Sequence, residues 1–568
     1  MTDTAAAPNP TARPPEADPS RTTSAVVGRL EEFAEGEMRM AKVGERRVAV
    51  IRTASGVHAL DNACPHQGYG MVTGALDGEL LTCQWHNWKF RVDTGQCVLG
   101  EEDIPCHAVS IDDGEITVSV TEPTPEEARV HLWPSLRRGI EDHYVGQVAR
   151  DTVRLLVNDA TPAEIAWVGL EHNLHREEWG PGHGMATAAD CLAWAEARSG
   201  DDRALPLVQG LAALAEPARG RPARDLPPPA DADLVAAIEA EDYDGATGAA
   251  RRLAAGDPSE ARRQFIEAAS MHHLSYGHGI IYVQKAFEVL ERVGWDKAEH
   301  VLPELALTTT GATREDTLPY MRSAVAAVAD ADLAALAAVP VDPAWSDPGL
   351  VDVFLDSATP PIGDALTALE AGAGVERVLD AVVDAVSRRL LRYDLDVEFD
   401  VDEPFGWLDI THGLTTARAA RWAYRAHPSP ATVRQALWAV WLCHDTGRAE
   451  RNHGVAPEPV IEPAAGDIAG LIRRGAEAEA LAAIAAAEGA GADELVDAAL
   501  ADGAGSFIVT AHLIKLTRAS IEEYEHSGSV LPLLAAGRYL AAPRLERFVS
   551  RNVAESLDFV HTGRPPKR

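Results

Sequence analysis

Two textures of hydrophobic patterning divide the chain. Between residues 25 and 121 the apolar residues come in short runs (RRVAVIRT, GVHALDN, GELLTCQW, KFRVD, HAVSIDDG and EITVSV) punctuated by Gly and Asp. Short runs of alternating or β-branched apolar residues bounded by turn formers predict strands, here of a small all-β unit. From residue 131 to 568 the pattern lengthens to Ala/Leu/Glu/Arg-rich segments at helical period, which predicts a large, mostly α-helical unit. Residues 122–130 carry prolines and acidic side chains and read as a linker, and residues 1–24, rich in Pro, Ala and Thr, read as a disordered tail. Breaks at 224–232, 427–430 and 456–467 are too short to divide the helical unit further. The expected fold class is therefore multidomain, β first and α afterwards.

Composition narrows the setting. A formal net charge of −36 over 568 residues argues against nucleic acid and against an anionic membrane surface, both of which reward clustered Lys and Arg. The Ala-rich runs are interrupted by Asp or Pro before reaching the roughly 18 apolar residues of a membrane span. Six cysteines in so long a chain do not make a disulfide framework, so a reducing, cytoplasmic location is expected.

Chemistry concentrates first in the β unit. Cys64-Pro-His66 is followed, after sixteen residues, by Cys83-Gln-Trp-His86, the pattern C-x-H…C-x-x-H. Two thiolates on one iron and two imidazoles on the other suit a [2Fe–2S] cluster, in which fewer anionic ligands raise the potential to roughly −150 to +300 mV. A zinc site from the same Cys₂His₂ set is the alternative, although zinc fingers pair Cys with Cys and His with His. CPHQG and CQWHNWKF, followed by DTGQC, resemble the two cluster-binding loops of the Rieske ferredoxin family and the strand turn after them. Cys97 and Cys106 fall outside the pattern and read as ordinary thiols. Gly68 and Gly70 permit tight turns near the cluster, with Trp85, Trp88 and Phe90 as shielding.

The helical unit is rich in histidine, in tracts around His172/His175/His183, His272/His273/His278, His412, His444/His453 and His512. A faint repeat relates 172–198 to 272–294: both run from a His pair through Gly-His-Gly into a helix. Such a duplication would set His172 or His175 and His272 or His273 around a pocket between helices, where bundles build metal sites. In 506–520, Ile508, His512, Lys515 and Ala519 recur at spacings of four, three and four, which puts His512 and Lys515 on one helix face. Burial makes a lysine amine neutral and nucleophilic, and such an amine adds CO₂ to give a carbamate that ligates metal. A snorkelling lysine is the plainer reading. In 408–424, His412 shares a face with Thr416, Ala419 and Ala423, either leaving room for a ligand or allowing close helix packing around a buried His.

Taken in order, EHNLH (171–175), MHHLSYG (271–277), DITHGLT (409–415) and AHLIKLTRA (511–519) resemble segments of the questin oxidase family of helical oxygenases. That resemblance implies a mononuclear non-haem Fe(II) held by histidines and a carboxylated lysine, with His172, His175, His273, His412, His512 and Lys515 as metal-binding candidates. The expected function is a non-haem iron oxygenase in which the cluster relays electrons to this iron, which activates O₂ against a small organic substrate, aromatic or polyketide in kind. No G-x-G-x-x-G fingerprint follows a predicted strand, so electrons are expected from an external ferredoxin or flavoprotein reductase. A homo-oligomer would let one subunit's cluster serve the next subunit's iron. Two other readings stay open: a redox-responsive electron-transfer or binding protein with no second metal, and a metal-free oxygenase using histidines for acid–base chemistry.

Overall fold

The computed structural model describes residues 19–400, 403, 405–501, 505–544, 553, 556–557 and 560–562. Contacts divide the chain into two compact units, Met1–Gly139 with Gly146–Ala160, and Ile140–Val145 with Thr161–Arg568.

The first unit carries the strands β1 (Thr22–Arg29), β2 (Met38–Val43), β3 (Arg46–Thr53), β4 (Gly56–Asp61), β5 (Ala75–Asp77), β6 (Leu80–Thr82), β7 (Lys89–Arg91), β8 (Cys97–Leu99), β9 (Cys106–Asp112) and β10 (Glu115–Thr121). They form a six-stranded sheet in the order β1-β10-β9-β4-β3-β2 and a four-stranded sheet in the order β5-β6-β7-β8. Period two explains how one strand serves two cores. Val48 and Val50 of β3 pack with Ile116, Val118 and Val120 of β10, while Ala49 and Ile51 point the other way into a core with Cys64, Cys83 and Phe90. The β9–β10 hairpin turns on Asp113 and Gly114, both at positive φ (47° and 78°), as a two-residue Asp-Gly turn requires.

Two expected boundaries move. Residues 1–18 of the expected tail lie outside the described residues, and from Thr22 the chain is already β1. The expected linker 122–130 is helical from Pro125, in α1 (Pro125–Glu141), which is followed by α2 (Val145–Val157). The proline that suggested a break instead sits in a helix's first turn, where its missing N–H costs nothing. Most of α1 and α2 belongs with the strands rather than with the helical unit. Arg154 of α2 donates to the Pro65 carbonyl at 3.4 Å and pairs with Glu102 at 2.5 Å.

The second unit is helical among its described residues. The helices that matter for the site are α3 (Pro162–Leu174), α4 (His183–Ala197), α5 (His278–Val293), α6 (Ala298–Gly311), α7 (Gly374–Leu391), α8 (Trp407–Ala426), α9 (Pro430–Asp445) and α10 (Phe507–Ser527). Local rules set several boundaries: Thr161 and Glu164 form a capping box with Pro162 at the first turn of α3, Ser429 caps α9, and Gly528 (φ 72°) ends α10. The largest core joins α7, α8, α9 and α10 through residues such as Val382, Val386, Leu414, Leu437 and Ile514. Around it α4 packs on α5, α5 on α8, α8 on α10 and α10 on α4, closing a ring of four helices. Among the described residues no helix is long and apolar enough to cross a membrane.

Candidate redox sites

In the β unit two loops are built alike. The Cys64 N–H donates to the Tyr69 carbonyl (2.8 Å) and the Cys83 N–H to the Trp88 carbonyl (2.8 Å), each closing a loop five residues on. The fourth residue after each cysteine, Gly68 or Asn87, is left-handed (φ 75° and 62°); Gly and Asn are the residues that tolerate this conformation best. The loops bring the four expected ligands together. Cys64 and Cys83 are both buried (3 % exposed), and burial, with Cys83 beside it, pushes the Cys64 thiol up. The rings of His66 and His86 meet edge to face at 4.4 Å. His66 is buried and stacks on Trp88 at 4.7 Å, whereas His86 is exposed. Trp85 is largely exposed and lies on Tyr69, and Phe90 is core. Two thiols and two imidazoles at one end of a small β fold are the donor set of a Rieske cluster.

The comparisons agree. A family model for the Rieske [2Fe-2S] domain matches residues 23–110. The ferredoxin component of the alkene monooxygenase system of Xanthobacter autotrophicus is 33% identical over 101 residues, 17% of this chain and 81% of that protein. This chain belongs to the Rieske [2Fe-2S] family. A cholesterol 7-desaturase of Caenorhabditis elegans is 30% identical over 111 residues, but these make up 19% of this chain and only 22% of the desaturase. Among solved structures, the ferredoxin of carbazole 1,9a-dioxygenase from Nocardioides aromaticivorans IC177 is 25% identical, with 18% of this chain and 99% of that one covered and a TM-score of 0.17. The Rieske domain thus has relatives in oxygenase systems, and these similarities cover a minor part of the chain.

The helical unit brings together a second set of donors. His183, His278, His412 and His512, one from each helix of the ring, have ligand atoms all within 4.8 Å of one another. Their Nε2 atoms form a string: His183 to His278 at 3.2 Å, His278 to His412 at 3.1 Å and His412 to His512 at 3.3 Å. Each Nδ1 faces outward to a fixed oxygen. His278 meets the Ser275 carbonyl (2.6 Å), His412 the Leu408 carbonyl (2.9 Å), His512 the Ile508 carbonyl (2.6 Å) and His183 the Tyr282 hydroxyl (3.0 Å). Donation from Nδ1–H to those oxygens leaves the Nε2 lone pairs converging, the arrangement by which outer partners orient metal-binding imidazoles. Donors about 2.1 Å from a shared ion lie roughly 3.0–3.4 Å apart, which matches the observed string.

Electrostatics point the same way. Burial first, then the Lys515 ammonium and neighbouring imidazoles, hold all four histidines below the usual range, His278 down to about 3. Neutral imidazoles with lone pairs turned inward repel one another unless a cation lies between them. Lys515, 3 % exposed and one turn beyond His512, is pushed down by burial to about 7. His412 and His512 are buried, while His183 and His278 are half-buried.

Of the expected ligands in this unit, His412 and His512 lie in the cluster and Lys515 acts electrostatically on it. The other three do not join it. His172 lies near the end of α3, where its carbonyl accepts from Arg176. His175 pairs through Nδ1 with the buried Glu304 (2.9 Å) and through Nε2 with His300 (3.0 Å), so both nitrogens are committed elsewhere. His273 is buried against Trp441, with neither ring nitrogen hydrogen-bonded among the described residues. In their place stand His183 and His278, the histidines of the repeated Gly-His-Gly. Each opens its helix directly after the N-cap position, Gly182 or Gly277. The repeat carried the signal in its Gly-His-Gly, not in the His pairs before it.

Proposed function

We propose that this protein is an oxygenase in which the Rieske cluster passes single electrons, received from an external ferredoxin or flavoprotein reductase, to a mononuclear iron held by His183, His278, His412 and His512. The reading rests on the convergence of four Nε2 atoms, each oriented by a fixed partner on its outer nitrogen. Imidazole donors suit iron as well as zinc or copper, and the Rieske domain favours a redox-active metal. A relative that serves a monooxygenase system supports the reaction class. Iron bound in this way supplies O₂ activation on an organic substrate.

The residues themselves do the rest. Carbonyls of Ser275, Leu408 and Ile508 keep three imidazoles in the tautomer that presents Nε2, and Tyr282 does so for His183. The ring of Tyr276 packs on His412 and that of Tyr282 on His183 and His278. Lys515, buried and with its amine lowered to about 7 so that part of it is neutral near pH 7, adds an oxygen donor if that neutral amine takes up CO₂: the N–C bond forms, one N–H breaks and the proton leaves to solvent.

Metal analysis with electron paramagnetic resonance of the oxidised and reduced protein tests the whole scheme. Three irons per chain, two of them in the cluster, are expected; two irons and no helical-site metal would leave an electron carrier. For Lys515, bicarbonate should raise iron occupancy in the parent protein and have no effect on Lys515→Ala. Full occupancy in Lys515→Ala, regardless of bicarbonate, would remove the carbamate.

A further inference from the structure

The segment that leads into α5 is the most strained stretch near the four histidines. Ser275, Tyr276 and Gly277 all lie in the left-handed region, with φ of 44°, 56° and 90°. Two of the three are not glycine, and such residues persist there only where surrounding contacts impose them. The backbone supplies part of that constraint. The Ser275 N–H donates to the Thr313 carbonyl (2.8 Å), the Thr313 N–H to Ser275 Oγ (2.9 Å), and the Glu315 N–H to the His273 carbonyl (2.9 Å).

Tyr276 supplies the remainder. Its hydroxyl donates to Asp445 Oδ2 at 3.1 Å, and Asp445, 5 % exposed at the end of α9, is held in turn by Arg448 at 2.8 Å. Its ring meets His412 edge to face at 5.5 Å. The turn that Tyr276 occupies ends at His278, and the Ser275 carbonyl within it fixes His278 Nδ1. Gly277 allows α8 to come close: a Cβ there would stand 2.0 Å from Thr416 Oγ1, one turn beyond His412. Tyr276 therefore touches one of the four imidazoles, His412, with its ring, and sits in the turn whose Ser275 carbonyl fixes another, His278.

We propose that Tyr276, anchored by Asp445, is a positioning residue for the four-histidine centre, holding the turn that presents His278 and backing the ring of His412. This rests on reading that centre as a metal site. Asp445 is not one of the four-histidine donors; its side chain meets Arg448 through Oδ1 and the Tyr276 hydroxyl through Oδ2, so it offers a handle on Tyr276 from outside the centre.

The test uses the full chain with its cluster loaded, the helical site emptied by chelation and Co(II) added. With the cluster oxidised and silent in electron paramagnetic resonance, the high-spin Co(II) signal reports the helical site alone. Tyr276→Phe should weaken Co(II) binding at least tenfold and alter the signal. Asp445→Asn, whose amide oxygen still accepts the hydroxyl, should bind as the parent does, while Asp445→Leu should reproduce Tyr276→Phe. Combining Tyr276→Phe with Asp445→Leu should be no worse than either alone, as expected for one shared interaction. Parent-like affinity and signal in Tyr276→Phe, or a loss of thermal stability alone, would overturn the proposal. Should Tyr276→Phe fail to fold, parent-like binding by Asp445→Leu would overturn it equally. A parent protein that binds no Co(II) would instead overturn the metal reading of the centre.

Discussion

The Rieske site and the four-histidine site have similar donors and opposite origins. In the Rieske domain the ligands sit on two loops close in sequence, and each loop is shaped by its own hydrogen bond and left-handed residue. In the helical unit each histidine of the cluster comes from a different helix, over a span from residue 183 to residue 512. The first is a property of short peptides that any supporting β fold can display. The second exists only once α4, α5, α8 and α10 have closed their ring.

That contrast predicts independent loss. Cys83→Ser should abolish the cluster's visible absorption and its reduced-state resonance while leaving helical-site iron in place. His278→Ala should do the converse, with iron at the helical site falling at least tenfold by metal analysis and the cluster spectrum intact. Equal loss of both metals in either variant would show that the sites depend on each other.

Within the cluster, His86→Cys adds an anionic ligand and should lower the reduction potential by on the order of 100 mV or more, read by spectroelectrochemistry. An unchanged potential would exclude His86 as a ligand.

His273 sharpens the comparison through pH. Burial holds it neutral down to about 4 in the folded protein, whereas an unfolded histidine takes up a proton near 6.5. The unfolded state therefore binds more protons between those values, so stability falls as pH drops through roughly 6.5 to 4. The loss from this one residue is about 3 kcal/mol. His273→Gln should flatten that part of the pH–stability curve without changing metal content. Iron lost from His273→Gln would return it to the ligand set.

The smallest effect is expected at His175. His175→Ala leaves the buried Glu304 carboxylate to Arg224 alone, which should cost about 1–3 kcal/mol in denaturant unfolding. Helical-site iron should be unaffected.

Legibility follows the same division. The strands of 25–121 and the two Rieske loops could be read directly, because each is decided within a few residues. The boundary after β10 could not, because Pro125 marks a linker and a helix start equally well. His512 and His412 stood out because each shares its helix face with Lys515 or small residues. His172, His175 and His273 looked equally suitable, since a histidine's use depends on what faces it from other helices. Glu304 and His300 of α6 occupy His175, and Trp441 of α9 encloses His273.

By itself the sequence determined that a Rieske domain heads a large helical unit, because period, turn residues and ligand spacing are local properties of the chain. Only the tertiary structure decided which four of the twenty histidines meet. The reason is geometric: each helix fixes the direction of its own side chains, but the distance between Nε2 atoms on four helices is set by how those helices pack.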